Sequence, residues 1–87
     1  MYQVRILEQA ARDLAKVDAV IARRTVSRIR WLAENLDDIQ PEPLTGNLAG
    51  FYKLRVGDYR VVYEVVHAEQ MLVVHLVGHR REIYRNL

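Results

Sequence analysis

The sequence contains no cysteine among its 87 residues. That excludes disulfide staples, thiolate zinc sites and a cysteine nucleophile. It also lacks any apolar run approaching the ~20 residues that a membrane helix needs. The N-terminal stretch, MYQVRILEQAARDL, sets Arg5, Glu8, Arg12 and Asp13 where a signal peptide requires an unbroken apolar segment. The expectation is a cytoplasmic protein without membrane contact. Proline (two) and glycine (four) are scarce, and both prolines and two of the glycines fall within residues 37–50, leaving room for only one real loop. Lysine is scarce too: only Lys16 and Lys53 occur, so nearly all the basic side chains are arginine. The net charge is +2 and the pI is about 9.2. Arginine keeps its charge and forks two hydrogen bonds onto a phosphate, so such a chain leans toward anionic partners.

What remains is the composition of a globular protein, 51% hydrophobic and 28% charged. A chain this short buries only about 60% of its unfolded surface, which leaves a thin stability margin. We read residues 1–87 as one domain. Tyr2 to Leu7 alternates and contains β-branched residues, which predicts a strand. Ala10, Ala11, Leu14 and Val17 follow helical spacing from Glu8 to Val17. Asp18 is an N-cap for a longer helix reaching about Leu36, with Ala22, Val26, Ile29, Ala33 and Leu36 as its core stripe. Trp31 falls opposite that stripe. It either lies over neighbouring arginine stems or anchors a partner, since Trp and Arg are enriched in interface hot spots. After the loop come three strand-like runs. Gly57-Asp58 forms the first hairpin turn, and Ala68-Glu69-Gln70 the second connection. The order strand, helix, helix and three-strand meander defines an α+β fold, with both helices on one face of a small, mostly antiparallel sheet.

Alternation assigns the two faces of the meander. Tyr52, Leu54 and Val56, then Tyr59, Val61, Tyr63 and Val65, then Leu72, Val74 and Leu76 point at the helices. The opposite face receives Lys53, Arg55 and Arg60 beside Val62, Val66, Met71, Val73 and Val77, with Glu64 as the nearby carboxylate. Three cations on one hairpin repel one another unless an anion binds. Such a face is either solvated or covered, and the adjoining apolar residues favour a covering partner. The tail adds Arg80, Arg81, Arg85 and Tyr84. Ile83 and Tyr84 either pack as a plain cap or bring the second half of a phosphate site to the sheet.

Cations and a tyrosine suffice for RNA cleavage by the RNA's own 2′-hydroxyl. A base removes the 2′-proton, cations stabilise the phosphorane, and the 5′-oxygen leaves with a proton. Positive charge favours a phenolate, which makes Tyr84 among Arg80, Arg81 and Arg85 the candidate base.

The stretch PLTGNLAGFYKLRVGDYRVVYEV and the tail VHLVGHRREIYR resemble the RelE family of the RelE/ParE superfamily, toxins of type II toxin–antitoxin systems. The initial strand, AARDL and the basic second helix agree, so the resemblance spans essentially the whole chain. It implies a ribosome-dependent, metal-independent endoribonuclease that cuts mRNA in the A site and uses no cofactor. By resemblance Tyr84 is the general base, Arg80 the acid or leaving-group stabiliser, and Lys53, Arg55 and Arg60 hold the phosphate. Arg23, Arg24, Arg28 and Arg30 of the second helix, with His79, Arg81 and Arg85, form the RNA- and ribosome-binding surface. The resemblance also implies a RelB-like antitoxin, with operator DNA contacted only through it. Trp31, Val62, Val66, Met71, Val73 and Val77 are the surface offered to that antitoxin. Two departures stand out: the family pattern has a second lysine where this chain has Arg55, and the tail between Arg80 and Tyr84 is short. Arginine is a good phosphate clamp and a poor proton donor. A ParE-like gyrase poison shares the fold but lacks the tyrosine-plus-arginine tail. A catalytically inactive binding module is the third reading.

Overall fold

The computed structural model describes residues 1–85. The final YRNL segment therefore reaches beyond the described residues at positions 86 and 87. The elements run β1 (Gln3–Ile6), α1 (Glu8–Lys16), α2 (Ala19–Asn35), β2 (Glu42–Pro43), β3 (Tyr52–Val56), β4 (Tyr59–Val66) and β5 (Met71–His79). They form one five-stranded sheet in the order β1-β5-β4-β3-β2. β1 lies parallel to β5, with Gln3 opposite Met71 and Ile6 opposite Val74, and every other pairing is antiparallel. A parallel partner needs a long crossover, and the two helices supply part of it.

α1 carries Glu8 in its first turn and Lys16 in its last, the charge order that suits the helix dipole. It buries Ala10 completely. The Asp18 side chain caps α2 as expected, accepting a 2.9 Å hydrogen bond from the Val20 amide. The core stripe of α2 is rotated from the expected one. Thr25, Ile29, Leu32 and Ala33 are buried, and Leu36 follows just past the helix, whereas Ala22 and Val26 are only half-buried. An apolar pattern passes over threonine. Here the Thr25 hydroxyl donates to the Ile21 carbonyl at 2.7 Å, which lets it enter the core with its polar group satisfied. Trp31 lies on the outside, with the Arg28 guanidinium 4.7 Å from its ring centre.

The inner sheet face closes the core with Leu54, Val56, Val61, Tyr63, Leu72 and Val74. The expected alternation holds through β3 and β4 and breaks on β5. Val62 pairs with Leu76 but Tyr63 pairs with Val74, so His75 is an extra residue, a β-bulge. Beyond the bulge the faces exchange: Val77 belongs to the core and Leu76 lies on the outer face beside Val62. The assignment of Leu76 to the core and Val77 to the outer face is thereby corrected. The Val77 amide donates to Asp13 Oδ2 at 3.0 Å, so a helix carboxylate takes up the strand N–H beyond the reach of β1.

The turns match their sequences. Gly57 adopts φ +58, and Gln70, after a short 3-10 turn at His67–Glu69, adopts φ +51. Among the described residues no helix is long and apolar enough to cross a membrane.

Candidate nucleic-acid site on the outer sheet face

Strand register gathers the cations of the meander. Lys53 and Arg55 are successive outer-face residues of β3, and Arg55 pairs directly with Arg60 of β4. On the far side of Arg60 stands Gly78 of β5. The structure thus brings together Lys53, Arg55 and Arg60, with the start of the tail at the same end of the sheet. The Arg80 amide donates to the Asp58 carbonyl at 2.8 Å, and its Nε lies 3.8 Å from the Asp58 carboxylate.

Each of these cations already has a partner. Glu42 Oε2 lies 3.1 Å from Lys53 Nζ and 3.3 Å from Arg55 Nη2. The Lys53 hydrogen bond, with the Arg55 and Lys53 charges, holds the Glu42 carboxyl below its ordinary pKa. Arg60 Nη1 folds back to donate to the Gly57 and Tyr59 carbonyls, both at 2.9 Å. Glu42 escaped the sequence reading because β2 is only two residues long and ends in proline, inside a segment read as loop. Glu64, expected as the nearby carboxylate, instead pairs with His75 at 2.7 Å.

The tail is anchored by Ile83, which is 7% exposed and packs over Gly78. A Cβ added at Gly78 would stand 3.0 Å from Ile83 Cδ1. The Ile83 amide donates to the His79 carbonyl at 2.9 Å, and His79 sets its ring edge-on to Tyr59. Arg81, Tyr84 and Arg85 are exposed on this closing turn.

The arginines of α2 do not act as one group. Arg24 reaches across to the β3–β4 turn, with its Nη1 4.0 Å from where a Gly57 Cβ would stand. Arg23 and Arg30 flank a shallow groove with Ala22, Val26 and Ser27. Arg28 lies against Trp31.

The outer apolar patch is smaller than alternation implied. Val77 faces the core, Val62 is 2% exposed and Val73 is 9% exposed. Val73 lies between Arg5 and Glu64 in register, and Val62 lies between Lys53 and Leu76, so long neighbouring side chains flank both. Val66 and Met71 are half-buried and Trp31 is 40% exposed. Among the described residues no group of three or more His, Asp and Glu side chains is placed to hold a metal ion.

A small α+β domain with helices on one sheet face and a basic hairpin and tail on the other defines the class. A family model described as "ParE toxin of type II toxin-antitoxin system, parDE" matches residues 4–84. Toxin RelE of Mycobacterium tuberculosis is 32% identical over 84 residues, covering 97% of this chain and 87% of that protein. Toxin RelG of the same organism is also 32% identical over 84 residues, 97% of each chain. The toxin–antitoxin complex RelBE2 from M. tuberculosis contains a chain that superposes with a TM-score of 0.82 at 31% identity, covering 91% of this chain and 98% of that one. The isolated RelE toxin of E. coli shares the fold, with a TM-score of 0.76 at 22% identity, 91% of this chain and 84% of that one. The chain belongs to the RelE/ParE family of type II toxin–antitoxin toxins.

Proposed function

We propose that this toxin is an endoribonuclease that cleaves mRNA in the ribosomal A site. The observation that carries the reading is the run of Lys53, Arg55 and Arg60 across adjacent strands, with Arg80 anchored at the same turn. Cations on one face, held by exposed pairs, suit a phosphate that develops extra negative charge as the 2′-oxygen attacks. In the proposed step the 2′-oxygen bonds to phosphorus and the bond from phosphorus to the 5′-oxygen breaks, leaving a cyclic phosphate. Tyr84 takes the 2′-proton, and the 5′-oxygen leaves with a proton from water while Arg80 stabilises its developing negative charge. Lys53, Arg55 and Arg60 clamp the phosphate after Glu42 yields its place, so the side chains supply the positive charge without a metal ion. The exposed Arg23, Arg24, Arg81 and Arg85 steer the protein to ribosomal RNA in a salt-dependent way. A RelB-like antitoxin neutralises the toxin in the cytoplasm by covering the cationic face, with Trp31, Val66 and Met71 as accessible apolar contacts. Operator DNA is met only through that antitoxin.

The ParE description of the family model favours, as second reading, a gyrase poison of the same fold. One experiment separates the two. The chain is expressed under tight control and mRNA 5′-ends are mapped for wild type, Arg80→Ala and Tyr84→Phe. Codon-positioned cuts in translated message, falling about 100-fold or more in each variant, support the RNase. Supercoiling defects without new RNA ends support gyrase poisoning. Undiminished cutting in both variants refutes the assignment of the active site.

A further inference from the structure

The outer face holds a second feature beside its cations. A hollow of about 330 Å³ is formed almost entirely by apolar side chains of Leu7, Leu48, Phe51, Val62 and Leu76. That is the small end of the range for ligand pockets, about 300–1,000 Å³. Val62, 2% exposed, pairs in register with Lys53 on one side and Leu76 on the other. Adjacent strands are about 4.8 Å apart, so the hollow begins one strand spacing from Lys53. The β-bulge sets both His75 and Leu76 on this face, and His75 Nε2 meets Glu64 Oε1 at 2.7 Å. The Phe51 ring stands edge-on to His75, their centres 4.9 Å apart.

We propose that this hollow is a nucleobase subsite. A base attached to the phosphate at Lys53 enters between the apolar side chains and is read at its edge by the Glu64–His75 pair. The inference rests on the RNA-cleaving reading and adds to it the origin of base selectivity. A base is flat and apolar on its faces and polar at its rim; the hollow supplies the apolar contact, and His75, which lines it, carries the hydrogen bond to Glu64 beside it. An aliphatic side chain from a protein partner would cover Glu64 Oε2 and His75 Nδ1 without bonding them, which costs free energy. The adjoining cations call for a polyanion in the same place. The pair uses one oxygen of Glu64 and one nitrogen of His75, leaving Oε2 and Nδ1 for a ligand. A carboxylate accepts from the amino group of adenine, cytosine or guanine. Uracil has no amino group, and two carbonyl oxygens flank its one donor. The subsite therefore selects amino-bearing bases over uracil.

The test is mRNA 5′-end mapping in cells making wild type, Glu64→Gln or His75→Gln, with thermal melting of each purified variant alongside. In wild type one position near the cut carries amino-bearing bases about tenfold over uracil, corrected for message composition. Either variant that melts with wild type reduces that bias to about twofold or less while cutting continues. Continued cutting with an unchanged bias in the folded variants overturns the subsite and leaves the RNase reading intact. An absence of cuts from wild type overturns the RNase reading and the subsite with it. Unchanged cutting combined with weakened binding of the antitoxin, measured by calorimetry, shows the hollow to be a protein dock and overturns the proposal as well.

Discussion

The two faces of this sheet are written by alternate residues of the same strands, yet they are held by different forces. The inner face is apolar and closed, with Val61, Leu72 and Val74 fully buried. The outer face is held largely by ion pairs and hydrogen bonds among partly exposed groups, including Glu42 with Lys53 and Arg55, and Arg80 with Asp58. Burial of a large aliphatic side chain is worth about 1.5–3 kcal/mol, while an exposed ion pair contributes about 0–1 kcal/mol. The fold therefore depends on the inner face. The outer face can exchange its internal partners for those of a ligand at little cost to the fold.

The widest separation of the two faces is expected from Leu72→Ala. It should lower unfolding free energy by about 2–5 kcal/mol in urea titrations. Cleavage per folded molecule should stay unchanged, and a loss of cleavage at retained stability would break the division between faces. Next comes Tyr63, whose phenol is pushed up to about 12, chiefly by burial and then by Tyr52 and Glu42. A raised folded pKa means its contribution is complete below pH 10 and is lost as pH climbs from about 10 toward 12. The loss is of the order of 2–3 kcal/mol, read from urea midpoints across that window. Tyr63→Phe should flatten this part of the profile. Asp13→Ala removes the acceptor of the Val77 amide and should cost about 1–2 kcal/mol, with faster hydrogen exchange at that amide. The smallest effect on stability belongs to Glu42→Gln. The lowered pKa of Glu42 means its pairs persist below the ordinary carboxylate range and are lost as pH falls through the depressed value. Its removal should leave the urea midpoint unmoved and raise affinity for a short single-stranded RNA severalfold, measured by fluorescence anisotropy.

Alternation was legible wherever strands were regular. It placed Lys53, Arg55 and Arg60 together, and set Leu54, Val61 and Tyr63 in the core. It failed after His75, because a bulge adds one residue to the count and leaves no mark that composition reveals. The same count also determines which side of Leu76 and Val77 is wet. Thr25 was missed because its burial depends on a hydrogen bond to the preceding helical turn, and hydropathy does not encode that bond. Glu42 was missed for a different reason: two residues carry no periodicity, and only the completed sheet makes them a strand. Asp18 and Gly57 were readable because caps and turns are decided within a few residues.

Ile83 seated on Gly78 has a consequence for the entropy of binding. A tail fixed only at Gly78 would let Arg80 and Arg81 sample a wide volume, and a ligand would have to collect them. The seat closes residues 78–83 into a short loop tied at both ends, so much of that conformational freedom is surrendered when the chain folds. What was spent then is not charged again at the encounter with an anion. A Cβ at position 78 would stand 3.0 Å from Ile83 Cδ1, so a side chain there keeps the loop closed only where that methyl shifts by a few tenths of an ångström.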